Sequence, residues 1–161
     1  MESSPRSRTG EISSHISMVL VTVAQLIFFT SFHKYIAWFT TGPDGSATRL
    51  SMLTDDYFTW LPIAITASII AIVAFTTMIF YDNQRFRMTA EIIVIISGIA
   101  VATSLVSIFP FDFSVIPNAT AVDVVPTVVR VFFILLAVFY GVTALVMYIK
   151  LRKYIAKQET S

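Results

Sequence analysis

Chemistry has few places to sit in this sequence. Its 161 residues hold two histidines and no cysteine, so a thiolate metal site, a disulfide framework and dithiol redox chemistry are excluded. His15 and His33 flank one apolar run that reads as a helix. At 1.5 Å per residue they stand about 27 Å apart, which argues against a haem held within one chain. His33 falls at the same end of the runs as Asp55, Asp56, Asp112 and Asp123. Imidazole and carboxylate together suit several divalent ions, but no ligand spacing ties these residues together, and the pattern names no cofactor.

Four further polar residues are candidates for function or for structure. Glu91 is the one acid at an apolar run, and intramembrane acids mark ion and proton routes. It stands, however, at the start of its run, where the helix dipole favours a carboxylate, and one turn after Arg87, so an i, i+4 ion pair is expected. Gln25 lies mid-run with Thr22 on the same side, placed to hydrogen-bond to a neighbouring helix. Arg130 falls seven residues before Ala137, on the face that also carries Gly141 and Ala144. It is predicted to be buried near one end of a bundle and to need a carboxylate partner. Asp112 is the first candidate on depth, then Asp56, then Asp123.

Positioning these residues falls to four apolar runs. The sequence is 56% hydrophobic and 13% charged, with a mean hydropathy of +0.78, more apolar surface than one soluble core of this length can hide. The run Glu91 to Phe109, EIIVIISGIAVATSLVSIF, is long enough to cross a bilayer. The expected fold class is an all-α membrane protein, a four-span transmembrane helix bundle. A flexible tail over 1–15 precedes a transmembrane domain over 16–153, with spans at 16–39, 57–81, 88–109 and 124–150, and a tail over 154–161 closes the chain.

Loops follow from composition. Gly42, Pro43, Asp44 and Gly45 mark 40–54 as a loop, with a short surface helix expected around Leu50 to Leu53. Thr54, Asp55 and Asp56 are placed to cap the second span, and Thr120 with Asp123 fit a capping box for the fourth. Asn118-Ala119-Thr120 also matches a glycosylation sequon. Arg6, Arg8, Arg85, Arg87, Lys150, Arg152, Lys153 and Lys157 gather on one side, against Lys34, Arg49 and Arg130 on the other. The positive-inside rule then puts both termini in the cytoplasm.

Small residues recur at helical spacing: Ala64, Ala67, Ser68, Ala71 and Ala74; Ser97, Ala100, Ser104 and Ser107; Ala137, Gly141 and Ala144. Gly98 with Ala102, and Ala137 with Gly141, are four apart, the spacing at which helices approach closely. There is no Gly-rich phosphate loop, nucleophile elbow, H-E-x-x-H or basic helix face, so no enzyme class and no nucleic-acid partner is indicated. The chain reads as a multi-pass, non-catalytic subunit or scaffold of a membrane assembly, with lipid and either other membrane subunits or further copies as its partners. The alternative is a small channel or transporter, homo-oligomeric or not, with Gln25, Glu91 and Arg130 along its path.

Overall fold

The computed structural model describes residues 8–41 and 45–159. Helix α1 spans Arg8–Ile27 and continues through one widened π turn, Phe28–Phe32, and a 3-10 turn, His33–Tyr35. A two-stranded antiparallel hairpin follows, β1 Ala37–Thr41 and β2 Ala47–Ser51. Helices α2 Tyr57–Phe80, α3 Gln84–Ile108 and α4 Ala119–Glu159 complete the chain. All four helices are long and apolar enough to cross a membrane.

Several expected boundaries move, each for a physical reason. Helix α1 begins at Arg8 rather than Ile16 because Arg8 and Glu11 find partners near the start of α3, and it stops short of Trp38 and Phe39, which belong to β1. Residues 47–51 form β2 in place of the expected surface turn of helix, and Trp38 pairs with Leu50. Gly42, Pro43 and Asp44 lie outside the described residues, as do residues 1–7 of the predicted N-terminal tail, Arg6 included.

Helix α2 starts after a turn in which the Tyr57 N–H donates to the Thr54 carbonyl and the Phe58 N–H to that of Asp55. The expected carboxylate cap is not made: Asp56 has helical φ and ψ, and its side chain accepts no capping hydrogen bond. Asparagines cap the other two helices. Asn83 Oδ1 accepts from the Phe86 N–H at 3.2 Å, and Asn118 Oδ1 accepts from the Ala121 N–H at 3.2 Å. The capping box foreseen at Thr120 and Asp123 therefore lies inside α4. That helix has 41 residues, about 60 Å at 1.5 Å per residue, and runs past Lys150, Arg152 and Lys153 to Glu159, into the predicted C-terminal tail.

Consecutive helices pack, α1 on α2, α2 on α3 and α3 on α4, while no extensive contact joins α1 to α4. Both ends of the described chain and the α2–α3 turn share one end of the bundle, the terminal end; the hairpin and the α3–α4 loop share the other, the hairpin end. Helix α2 is the hub, burying Trp60, Ala64, Ser68, Ala71 and Met78 along one face. Helix α3 buries Ala90, Ala102 and Leu105. The stripe read on it is only partly a packing face, since Ala100 and Ser107 are exposed. Helix α4 buries no residue along its whole length.

Candidate functional site

Between the helices lies a cleft of about 370 Å³, lined on α1 by Gln25 and Phe29, on α2 by Trp60 to Phe75, on α3 by Ser97, Gly98 and Leu105, and on α4 by Phe133 and Tyr140. Its shape follows from the packing order. Helices α2 and α3 form the floor with their small residues, and α1 and α4 form walls that do not meet. The Ser68 and Ser97 hydroxyls donate to carbonyls of their own helices, Ala64 and Val94, so their hydrogen-bonding capacity is used locally. Gly98 does meet a close neighbour: a Cβ built there would lie 3.4 Å from the Tyr140 ring. Gly141 does not. A Cβ at that position meets nothing within 4 Å, so the expected close approach at Gly141 is corrected, because α4 turns its small-residue face past α3 instead of into it. Ala137 and Ala144 on α4 are likewise only partly covered.

The hairpin end closes over this cleft. Tyr57 and Trp60, each 2% exposed, are packed with Ala64 and Leu105, and Phe29, Leu53, Phe111 and Phe133 lie against them. The Tyr57 hydroxyl donates to the Phe29 carbonyl at 2.7 Å, across to the π turn that ends α1. π turns leave backbone groups out of the regular helical ladder and concentrate at functional sites. His33 stacks on Tyr57 with ring centroids 5.2 Å apart, and its Nδ1 lies 3.2 Å from the Thr30 carbonyl oxygen. Backbone bonds tie the loops together: Met52 N–H to Ile36 O, Asp112 N–H to Met52 O, and Thr54 N–H to Pro110 O. A bridge pairs Leu53 with Phe111.

Arg130 belongs to this end, though not in the predicted way. It is exposed, and its guanidinium sits 4.2 Å from the centroid of the Phe109 ring. Among the described residues it makes no ion pair with Asp112, Asp56 or Asp123. The correction has a simple cause: a face was inferred from small residues on a helix that buries none, so nothing draws the arginine inward. Phe109 presents its ring from a left-handed backbone, φ +45°, where α3 ends. Asp112 instead accepts the Ser114 N–H at 2.9 Å. Hydrogen bonds from the Ser114 side chain and backbone hold its carboxyl below the ordinary carboxylate value.

No family model, curated protein or solved structure matches this chain. Its function therefore has to be argued from its own side chains.

The terminal end is held differently. Arg87 Nη1 donates to Glu11 Oε2 at 2.7 Å, with the two side chains 18% and 31% exposed. The expected local partner of Arg87, Glu91, is displaced by an acid 76 positions away, because a long arginine on α3 reaches the start of α1 at the same depth. Arg8 and Asp82 approach to 3.6 Å and are largely exposed. His15 is buried beside this cluster, stacked on Phe75 with centroids 6.2 Å apart. His15 and His33 thus sit at opposite ends. Among the described residues no group of three or more His, Asp or Glu side chains is arranged to hold a metal ion.

Of the candidates read in the sequence, Gln25, Ser97, Gly98 and Ala102 line the cleft, together with Ala64, Ala67, Ser68 and Ala71 of the α2 stripe; Glu91, Asp112 and Arg130 lie away from it. Tyr57, Trp60 and Glu11 were not singled out. Two aromatics just after a turn signal at a helix start carried a weak signal for an aromatic cap. Glu11 carried none, since its partner is set by the tertiary fold.

Proposed function

We propose that this chain is an integral, multi-pass membrane protein with both termini in the cytoplasm, acting as a non-catalytic subunit or scaffold within a larger membrane assembly. One observation carries the reading: the bundle is not closed on itself. Helix α4 buries nothing, and α1 and α4 leave a side opening between them, so two of the four helices have whole faces free for other transmembrane segments. Phe132, Leu135, Val138 and Phe139 are 57–63% exposed along one stretch of α4. Large apolar side chains there suit lipid or a partner helix and suit water poorly. The basic residues Arg85, Lys150, Arg152 and Lys153 at the terminal end support the orientation through the positive-inside rule.

The channel reading finds less support. Gln25 lines the cleft, Glu91 lies near the terminal end and Arg130 is exposed at the hairpin end, so the three do not mark one path.

A photo-crosslinking side chain at Leu135 or Val138, activated in native membranes, tests the proposal. Protein adducts of defined mass are expected at these positions, with none from the same group at the buried Ala64. A chain recovered only as a lipid-crosslinked monomer would overturn it. For orientation, a cysteine introduced at Asn83 or Glu159 is expected to be shielded from an impermeant thiol reagent in intact cells, and one at Ser46 or Ser114 to be labelled. The reverse pattern would invert the topology.

A further inference from the structure

The cleft carries more than a packing defect. It is elongated: the α2 residues along it run from Trp60 to Phe75, about 22 Å of helix at 1.5 Å per residue. Its volume of about 370 Å³ falls in the range of small-molecule sites, which are mostly apolar with a few placed polar groups. Of its polar lining, Thr22, Ser68 and Ser97 bond to carbonyls of their own helices and Tyr140 stands beside Gly98 at mid-length, while Trp60 and Gln25 lie toward the hairpin end. Trp60 lines that end, is 2% exposed, and its indole Nε1 is buried with no hydrogen-bond acceptor. A buried indole N–H ordinarily has a partner, and leaving one unmade costs about 1–3 kcal/mol. Gln25 lies one helical turn before Phe29, whose ring touches that of Trp60 at 5.2 Å. Its side-chain amide makes no hydrogen bond to the described residues. Toward the other end the lining is Ala71, Phe75, Val94 and Ile95, which offer no polar side-chain group.

We infer that the cleft binds a single-chain lipophile with a carbonyl-type head. The head accepts a hydrogen bond from the Trp60 indole and another from the Gln25 amide, and the chain lies along the small residues of α2 and α3 toward Phe75. The gap between α1 and α4 is its entrance from the side. This site lies within one chain, so it stands whether or not a partner protein covers the same gap.

Bromine on a bound chain quenches tryptophan fluorescence on contact, which makes Trp60 its own reporter. In a Trp38→Phe background it is the only tryptophan. The probes are mid-chain brominated stearic acid methyl ester and a brominated alkane of equal length without the ester, each titrated into the detergent-purified full chain. Saturable quenching by the ester is expected, with the alkane binding about 5- to 100-fold more weakly, the worth of two hydrogen bonds. Gln25→Leu, on an exposed part of α1, should weaken the ester about 2- to 10-fold, the worth of the one bond it removes, and leave the alkane unchanged. Leu20→Val, on the far side of α1 and 65% exposed, should change neither curve. Quenching that rises without saturation, an unquenched Trp60, or equal ester binding by wild type and Gln25→Leu would each overturn the site.

Discussion

The two ends of the bundle hold the same four helices by opposite means. At the hairpin end, buried aromatic rings, a hydroxyl on a carbonyl and backbone bonds between loops do the work, with no ion pair among the described residues. At the terminal end, two ion pairs span α1 and the α2–α3 turn region, and the aromatic contribution shrinks to His15 on Phe75 and Tyr81 on Phe86. The contrast teaches where specificity comes from in a chain whose helices are apolar on every side. Apolar faces that meet lipid on one side and a helix on the other gain little from the choice, so the helices are sorted by directional contacts placed at their ends. The middle of the bundle, where such contacts are missing, is where the cleft opens.

The sharpest way to break the contrast is to remove the aromatic hub. Tyr57→Ala deletes a side chain that is 2% exposed, and large buried aromatics cost about 3–5 kcal/mol on truncation. Denaturant unfolding in detergent should show a loss of that size, with Tyr57→Phe, which keeps the ring and gives up the bond to Phe29, losing only about 1 kcal/mol. If the two variants are equally stable, the ring packing is not what holds this end.

Next in size is the pair Glu11 and Arg87. Because both side chains are mostly covered, removing either partner alone leaves a poorly solvated charge. Glu11→Gln or Arg87→Met should each cost about 1–3 kcal/mol, and the double variant should cost less than the sum. Arg8→Ala provides the internal reference. Its pair with Asp82 is long and exposed, so a change below about 0.5 kcal/mol is expected. Additive effects of Glu11→Gln and Arg87→Met would show that the clasp does not couple α1 to α3.

How much of this could be read beforehand follows the same division. The existence of four apolar helices was legible because runs such as Tyr57 to Phe80 announce themselves by length and composition alone. The hairpin was not: AWFTT and ATRLS are short and show no alternation, and they become strands by pairing with each other, with residues 52–54 after β2 tying them to the 110–112 segment. Gly98 was legible as a place of close approach because a glycine in an apolar run draws attention, whereas Gln25, expected to hydrogen-bond to a neighbouring helix, is exposed at the cleft and makes no such bond to the described residues. The partner of Arg87 was not, because local i, i+4 geometry points to Glu91 and only the tertiary fold brings Glu11 closer. Arg130 shows the limit of face arguments: helical spacing fixes which residues share a face, but not whether anything covers it.

Arg130 supplies a smaller test on the hairpin side. An exposed guanidinium on an aromatic ring is worth about 0.5–1 kcal/mol, and the contact depends on Phe109 holding its left-handed turn. Arg130→Ala should lower stability by about that amount, and Arg130→Lys by less. Raising the salt concentration should leave the difference nearly unchanged, because no opposite charge is being screened. A strong salt dependence would restore the carboxylate partner that the geometry denies.

The smallest expected effect concerns acid. The Asp112 carboxyl, at the hairpin end, is held below its ordinary value of 3.8 by hydrogen bonds from Ser114. A carboxylate with a lowered folded-state value adds stability that is fully present above the unfolded value and is lost as pH falls through the folded one. The contribution should therefore be constant from neutral pH down to about 5 and fade only below about 4. It belongs to a solvent-facing group and should amount to less than about 1 kcal/mol. Asp112→Asn, which keeps an acceptor for the Ser114 N–H but has no charge to titrate, should match wild type at low pH and fall slightly below it at neutral pH. Because the Asp112 backbone also donates to Met52, the variant should leave the loop docking intact, visible as unchanged protease resistance of the hairpin. A wild-type midpoint that shifts between pH 5 and 7 by more than the Asn variant's would mean that Asp112 titrates above its ordinary range, against its hydrogen bonds from Ser114, and equal shifts in the two proteins would place the titrating group elsewhere.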